Sequence, residues 1–385
     1  MAFTFSGTSL TLQNLEDILQ KHLLLEIPAI DSAAPSAVEV TINADQAVIA
    51  QDYLAVHAVG FGAEVPEEII RLAFIIHLQI LINRSQPGIQ PATLNRLVSF
   101  FNRDIFPVVL QEGTSAAQLA QLILPLAGVG KVKYQGYELN AADILDIFSW
   151  EPLTLHPAEV TALLQEQTFP LAQATYHLLQ TKKLMPWVAY LAAVFTQISS
   201  ANPDELEAQV TQLQNAFNKA QTFFERDAQH TDQTQNQQSL ASALTDLALQ
   251  LQSNIVSLAN CTAETFENLI STSEPPATSS FAQALALVDL LKPQSDQVQV
   301  HAAATSNQLF LLNKTLESFI PLTEQIVALA FWSVSQVGKV FNLAAENLTL
   351  ATYYHSELFV PKEIVIIQLT KTITFIKTHT PTVQD

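Results

Sequence analysis

The chain has 385 residues, of which 49% are hydrophobic and 14% charged, and its formal net charge is −19. This composition is typical of a compact, mainly helical protein and excludes a wholly disordered chain. Its negative charge disfavours nucleic acid and anionic membrane surfaces as partners, because both are polyanions. Cys261 is the only cysteine, which excludes an internal disulfide and a thiolate metal cluster.

Two stretches bear on targeting and on membranes. The opening "MAFTFSGTSLTL" has neither a basic start nor a long apolar run, so we expect no signal peptide and a cytoplasmic protein. The most apolar segment, "EEIIRLAFIIHLQILINR", is interrupted by Arg71, His77 and Gln79. It is too short in uninterrupted apolar residues for a membrane span, so we predict a buried helix there and no membrane partner.

The first predicted elements are a strand and two helices. "VEVTINAD" alternates β-branched and polar residues and ends on a turn signal, which predicts a strand. From Pro66 to Ile82 and from Pro91 to Phe101 the apolar residues recur with a helical period. Pro91 suits the first turn of its helix, where the missing N–H leaves no hydrogen bond unmade.

A hairpin and a further helix follow. "KVKYQGYEL" has strand-forming residues on both sides of Gln135-Gly136, which predicts a tight turn at that dipeptide. We predict a helix from Asn140 that ends at Trp150 and Pro152.

The second half of the chain carries apolar stripes at near-heptad spacing, which indicate long packed helices. The three stripes are Leu206, Val210, Leu213 and Phe217; Leu240, Leu244, Leu247, Leu251, Ile255 and Leu258; and Leu309, Leu312, Leu316, Phe319, Leu322, Ile326 and Ala330. A Gln-rich break at 229–238 and the loop-like "STSEPPATSS" separate them, and Pro321 predicts a kink. We therefore expect residues 1–200 to form an N-terminal region with minor β-structure. Residues 201–385 should form a long-helix bundle with a C-terminal tail, in one continuous fold.

Several motifs between Leu54 and Leu163 occur in the order and near spacing of one family. They are "LAVHAVGFGAEVP", "PGIQPATLNRL", "FNRDIFPVV", "LPLAGVGKVKYQGYEL" and, more distantly, "LTLHPAEVTALLQEQT". Together they resemble the aromatic amino acid ammonia-lyases, which act on histidine, phenylalanine and tyrosine. The resemblance implies a mainly α fold, with a long-helix bundle and a small mixed α/β N-terminal region. It aligns Glu159 with a family Glu and Gln165 with a family Asn.

The family depends on an electrophile, the MIO group, which forms autocatalytically from Ala-Ser-Gly. Aligning "QLAQL" from Gln118 on the family's Asp-Leu-Ala-Pro-Leu leaves only Gly113 to Ala117 for seven family residues. No Ala-Ser-Gly stands there, and Ala116 or Ala117 cannot replace the flexible Gly whose nitrogen closes the ring. We therefore expect no MIO group and no other cofactor.

Two further family features are missing. "VTINADQAVIAQDYL" joins the first strand directly to the His57 segment, so the loop that carries the family's Tyr is deleted, and Tyr53 does not inherit its role. A faint match in the helical half sets the family's Gln-Glu-Asp-His on Thr305-Ser306-Asn307-Gln308, which leaves no carboxylate. With electrophile, base and carboxylate all missing, the resemblance implies that ammonia-lyase activity has been lost, and we assign no catalytic residues.

The matched positions nevertheless converge on one place in the family, which defines a candidate pocket. His57, Ser115 and Gln165 are expected near it, with Ser306 from the helical half. His57 is either a base or donor in a remodelled pocket or a residue that ties its own loop together. The emptied volume is either filled by side chains such as Tyr53, Phe61 and Phe106 or occupied by a ligand or partner. No His-rich spacing suggests a metal.

Three functions remain open. The chain is a pseudoenzyme that serves as an assembly partner, an MIO-independent enzyme that performs an elimination, isomerisation or cyclisation of an aromatic or acyl substrate, or a binder of small aromatic molecules. Whether it is an enzyme at all stays uncertain at this point. Because the family relatives assemble through their helices, the resemblance also implies a homo-oligomer, a dimer or tetramer, and a possible protein partner in a biosynthetic complex.

Overall fold

The computed structural model describes most of the chain and shows a mainly α-helical protein with three small sheets. The described residues are 2–5, 10–27, 44–83, 89–164, 168–200, 202–227, 233–273, 277–296, 308–341, 349 and 365–381. The strand predicted in "VEVTINAD" lies outside these ranges, apart from Ala44 and Asp45, which begin a helix.

Short helices and strands alternate up to residue 164. They are β1 (Ala2–Thr4), α1 (Leu12–Gln20), β2 (Leu24–Glu26), α2 (Ala44–His57), β3 (Phe61–Glu64), α3 (Glu67–Asn83), α4 (Pro91–Asn102), β4 (Phe106–Pro107), β5 (Leu110–Glu112), α5 (Ser115–Ile123), a 3₁₀ turn (Leu124–Ala127), β6 (Lys131–Tyr134), β7 (Tyr137–Asn140), α6 (Ala141–Ile147) and α7 (Pro157–Leu163). Longer helices follow: α8 (Thr168–Ile198), α9 (Pro203–Asp227), α10 (Gln233–Thr272), α11 (Ala277–Asp296), α12 (Gln308–Phe341) and α13 (Val365–Thr378).

The chain divides into two compact units. Unit 1 takes residues Met1–Tyr176 and Phe224–Asn236, and unit 2 takes His177–Phe223 and Gln237–Asp385. The division at residue 200 that the sequence suggests stays a prediction, since a compact unit and a domain are not the same thing.

Unit 1 is organised around α3. This helix is buried from Ile69 to Leu81 except at Arg71, which explains why its sequence is apolar on every side. The sheets are β1–β2, β3–β5 and β4–β6–β7, and only the first is parallel.

The predicted helices and hairpin of unit 1 are confirmed. α3 and α4 match the predicted ranges within two residues. The hairpin of β6 and β7 turns at Gln135 (φ 50°) and Gly136 (φ 82°), the left-handed pair that a two-residue turn requires. The helix after it ends at Ile147, somewhat before Trp150.

Unit 2 buries the predicted stripes. Every residue of the second and third stripes is buried. Asn254 donates to the Gln209 carbonyl (3.0 Å) and Lys219 pairs with Asp246 (2.7 Å), so α9 and α10 run antiparallel.

The two predicted breaks between the stripes are shorter than the sequence suggests. Part of the Gln-rich break, Gln233–Gln238, belongs to α10, and the end of "STSEPPATSS" already belongs to α11.

An aromatic cluster lies at the centre of unit 2. We define the Trp187 cluster as Trp187, Tyr190, Phe331 and Phe375. The ring centroid of Trp187 lies 5.1 to 6.0 Å from those of the other three residues. The centroids of Tyr190 and Phe331 lie 6.2 Å apart. The Trp187 Nε1–H donates to the carbonyls of Ile376 (3.0 Å) and His379 (3.1 Å), which fixes the end of α13.

Unit 2 buries a cysteine, a histidine and most of an apolar helix. Cys261 is buried, and burial raises the pKa of its thiol, as expected for an inert cysteine. Burial lowers the pKa of His177 to about 4.

Leu312–Val337 is long and apolar enough to cross a membrane, but 78% of its most apolar window is buried within the structure, which is the pattern of a core helix.

Candidate functional site

Four exposed apolar side chains lie between residues 53 and 61. Tyr53 and Val56 come from the end of α2, Val59 from the loop that follows, and Phe61 from the start of β3. Their exposed fractions are 48%, 72%, 70% and 71%. We define these four exposed residues, which are close together in the sequence, as the 53–61 surface.

His57 lies within this stretch as the last residue of α2, where the sequence predicted a loop residue. Its Nδ1–H donates to the Tyr53 carbonyl at 2.8 Å, and its ring centroid lies 4.2 Å from that of Tyr53. A carbonyl only accepts, so this bond leaves Nε2 as the acceptor nitrogen. The contact supports the alternative in which His57 ties together its own segment.

The segment that replaces the family's electrophile lies beside this surface. β3 pairs with β5, with Phe61 opposite Glu112, and β5 leads into Gly113. Thr114 then caps α5: its Oγ1 accepts from the Ala117 amide (3.1 Å), and its carbonyl accepts from the Gln118 amide (3.0 Å). Ser115 is therefore the first residue of a regular helix.

Two glutamines of α5 hold the neighbouring loops in place. Gln121 accepts from the Leu110 amide (2.8 Å) and donates to the Ala58 carbonyl (3.4 Å). Gln118 donates to the carbonyls of Leu110 (3.3 Å) and Gln111 (3.2 Å). The sequence alone assigns neither residue a role. The signal that could have pointed to them is their alignment with the family's Asp and Pro, next to the segment that aligns with the electrophile.

Two glycines explain why these family positions persist. A Cβ on Gly60 would lie 2.5 Å from Gln121 Nε2 and 3.2 Å from the Glu112 carbonyl oxygen, so a side chain there would displace the Gln121 amide and crowd the backbone of β5. Gly62 has φ +89°, a conformation that residues with a Cβ rarely adopt. The loop around 60 and the start of α5 are thus packed closely together.

The remaining candidate residues differ in their surroundings. Phe106 is buried in the core of unit 1, 6.3 Å from Phe74, with the Arg71 guanidinium 4.3 Å from its ring centroid. Tyr53 and Phe61 face solvent and fill no cavity. Gln165 and Ser306 lie outside the described residues, so a pocket formed with them stays a prediction.

Glu159, the family Glu, is fully buried and has a structural role. Its Oε1 accepts from the Gln90 amide (2.9 Å) and from Thr93 Oγ1 (2.7 Å). It also caps its own helix α7 through the His156 amide. One carboxylate therefore holds the starts of α4 and α7 together, where helix dipoles favour negative charge.

A cleft of about 140 Å³ lies elsewhere in unit 1. Its lining is Gln51, Leu54, Ala127, Pro152, Leu153, Thr154 and Leu155. None of these seven residues can act as an acid or a base near neutral pH. Within the described part of the chain, no three His, Cys, Asp or Glu side chains are grouped as metal ligands.

Comparison with known proteins identifies the chain's relatives. Residues 36–223 match the profile of the aromatic amino acid lyases. This region belongs to the aromatic amino acid lyase family. A histidine ammonia-lyase from Streptococcus pyogenes is 30% identical over 158 residues, which are 39% of this chain and 31% of that enzyme. The chain thus spans less than a third of the length of the curated lyases that it matches.

Solved structures extend this likeness to the whole chain. A tyrosine aminomutase variant with a bound ligand superimposes with a TM-score of 0.83, covering 98% of this chain and 97% of the other at 13% identity. Ergothionase from Treponema denticola gives a TM-score of 0.79 at 12% identity, with 98% and 99% covered. At such identities the likeness concerns the fold alone, and the chain has the lyase fold.

Proposed function

We propose that this chain is a lyase-family protein without deaminase activity that serves as an assembly partner for another protein. The observation that supports this most directly is the helical start of α5 in place of the electrophile. A protein that has lost its reactive group but keeps the surrounding fold can still bind other proteins.

The residues present do not fit the family's MIO group. Among the nine glycines, only Gly7 follows a serine, and Phe5 precedes that serine, so Ala-Ser-Gly occurs nowhere in the chain. In the aligned segment the Ala117 amide donates to Thr114 Oγ1, and Ser115 and Ala116 lie in the first helical turn. No nitrogen there is placed on a flexible glycine, and we route no chemical step through this group.

The 53–61 surface supports the assembly role. Four apolar side chains remain exposed although glutamine side chains and close glycine contacts hold the backbone beneath them in place. A rigid surface loses little conformational entropy on binding, so it is suited to recognising a partner. The alternative of an MIO-independent enzyme gains no support from the 140 Å³ cleft, whose lining carries no acid, base or thiol.

A homo-oligomer, a dimer or tetramer in the cytoplasm, is part of the same proposal. Its support is the family membership and the apolar area left exposed in each copy. Light scattering on the purified chain at micromolar concentration should show a species heavier than the 42.2 kDa chain. A species of only that mass would contradict self-assembly.

The loss of activity is tested by mass and by turnover. The intact purified chain should have the mass calculated from its sequence, and it should release no unsaturated acid from Phe, Tyr or His. A mass lower by two waters, or growing absorbance of a cinnamate-type product, would refute the proposal. An aromatic acid found bound by native mass spectrometry would favour the binder or enzyme alternatives instead.

A further inference from the structure

We propose that the guanidinium groups of Arg96 and Arg103 bind carboxylates on an acidic segment of a partner protein. Arg96 lies on α4, and Arg103 is the residue that follows this helix. The proposal rests on the proposed assembly function only in taking a protein as the partner. The site itself follows from the contacts, the charges and the spacing of the two arginines.

The two arginines belong to one connected group of side chains. The Arg96 guanidinium lies 4.9 Å from the ring centroid of Trp150, and the Arg103 guanidinium lies 5.3 Å from the same centroid. Arg103 is also 4.7 Å from the Phe148 centroid. Trp150 stacks on Phe148 (4.8 Å) and on Phe100 (5.9 Å). The aromatic rings therefore hold both positive charges against one base by cation–π contact.

Neither arginine has a carboxylate partner in the part of the chain that the structure describes. The ion pairs found there involve other cations. Asp104, the acid next to Arg103, pairs with Arg71 of α3 at 2.9 Å. Glu151 contacts Arg96 through its main-chain carbonyl, which accepts from Nη2 at 3.1 Å. Two positive charges thus stay unpaired, although the chain has 36 acidic and only 17 basic residues.

The guanidinium of Arg96 is also short of hydrogen-bond acceptors. Its Nη1 is buried and has no acceptor, and burial lowers the pKa of the group because desolvation disfavours its charge. A guanidinium that has lost water without gaining an anion is costly, and a nearby carboxylate reduces that cost. Arg103 is exposed, so a carboxylate can reach it directly from solvent. Arg96 is half-buried, and a second carboxylate approaches it from its exposed side.

The spacing of the two arginines favours a segment with several carboxylates over a single small anion. Arg96 and Arg103 are seven positions apart, which separates their Cα atoms by about 10 Å along the helix axis. Acidic side chains one or two helical turns apart on a partner match this distance, and each guanidinium can bind a carboxylate through two parallel hydrogen bonds. Nucleic acid also carries repeated anions, but the net charge of −19 repels a long polyanion. A short segment is affected less, because salt screens charges beyond about 8 Å.

Fluorescence anisotropy with two labelled peptides tests the proposal on the purified chain. One helical peptide of about 15 residues carries Glu at positions i, i+4 and i+7 of one face, and the second carries Gln at the same positions. We expect the Glu peptide to bind with a Kd of about 100 μM at about 0.15 M salt. The Gln peptide should bind about ten-fold more weakly, since the charged hydrogen bonds are lost.

Matched variants localise the binding. Arg103→Gln and Arg96→Gln should each weaken the Glu peptide about ten-fold, and Arg103→Lys about three-fold, because an ammonium lacks the planar fork. Lys183→Gln is the control: it removes one exposed positive charge from α8 and changes the net charge equally, so the affinity should not change. Arg103 is exposed, so its variants should fold normally, and circular dichroism checks this for every variant.

The contrary results differ from one another. Equal binding of the two peptides, or equal loss in Arg103→Gln and Lys183→Gln, overturns the site. Loss in Arg103→Gln but not in Arg96→Gln overturns the paired site in favour of a single surface arginine. Displacement of the Glu peptide by an equal concentration of glutarate or inorganic phosphate overturns the segment in favour of a small anion. If the Glu peptide binds as expected but the chain proves to be an active lyase, only the proposed function fails.

Discussion

The Trp187 cluster of unit 2 and the 53–61 surface of unit 1 place aromatic side chains in opposite environments. The Trp187 cluster is buried, and Trp187 lies 5.1 Å from Phe331 and 5.9 Å from Phe375 between ring centroids. Tyr53 and Phe61 of the 53–61 surface face solvent. The same residue types therefore stabilise the core at the first place and are exposed at the second.

The supporting structure differs in the same way. The Trp187 cluster lies on α8, α12 and α13, and its four side chains are buried among these helices. The 53–61 surface is carried by short elements that polar side chains hold in place, chiefly Gln121 and Gln118. Substitutions should thus affect stability in unit 2 and binding in unit 1, and matched changes can test this contrast.

The largest effect is expected for Phe331→Ala in the Trp187 cluster. Phe331 is fully buried and contacts Trp187 (5.1 Å), Tyr190 and Phe375. Truncation leaves a cavity that these rings cannot fill, so we expect the free energy of unfolding to fall by about 4 kcal/mol. Urea denaturation followed by tryptophan fluorescence measures it, since Trp187 and Trp332 both report on unit 2. A loss below about 1 kcal/mol would show that the cluster is loosely packed.

A smaller effect is expected from the pH dependence of unit 2. Burial lowers the pKa of His177 to about 4, whereas an unfolded histidine titrates near 6.5. The unfolded chain thus gains a proton first as the pH falls. The contribution of the neutral, buried His177 to the free energy of unfolding is fully present above pH 6.5. It decreases as the pH falls from 6.5 to about 4, by up to about 3 kcal/mol in total. Comparing urea midpoints of the native chain and His177→Gln from pH 7.5 to 4 isolates this contribution. Parallel curves would contradict it.

Within unit 1, Glu159→Ala should have an intermediate effect. The buried carboxylate accepts from the Gln90 amide and from Thr93 Oγ1, and its removal leaves both donors without this acceptor. We expect a loss of about 2 kcal/mol. Amide hydrogen exchange should quicken at the start of α4, and Glu159→Gln should show a smaller change, because it keeps an acceptor oxygen. Unchanged exchange at residues 90–94 would mean that other contacts hold this helix start.

Much of the fold could be predicted from local sequence signals. α3, α4 and the hairpin at Gln135-Gly136 follow from periodicity and turn chemistry, and the stripes of α9, α10 and α12 from spacing. α8 and α11 were not assigned. α8 is apolar over most of its length, so its apolar residues do not recur with a clear helical period. It also contains Pro186, and proline is uncommon inside a helix.

The candidate site was less predictable because its contacts join distant residues. The bond between Gln121 and the Ala58 carbonyl spans 63 positions, and no local pattern reveals it. Apolar residues such as Val56 and Val59 are more often buried than exposed, so composition gave no reason to place them on a surface. The resemblance identified the segment that aligns with the family's electrophile, but the helix that Thr114 caps is visible only in three dimensions.

The smallest effect is expected for Phe61→Ala, the counterpart of Phe331→Ala on the 53–61 surface. The substitution is identical, but 71% of Phe61 is exposed, so little apolar area returns to water and no cavity forms. Some strand propensity is lost in β3, and we expect a change within about 0.5 kcal/mol in the free energy of unfolding. Hydrogen exchange across β3 and β5, together with urea denaturation, measures this change. If Phe61→Ala instead destabilises unit 1 as strongly as Phe331→Ala destabilises unit 2, then Phe61 belongs to a stabilising contact, and the contrast between a buried cluster and a binding surface does not hold.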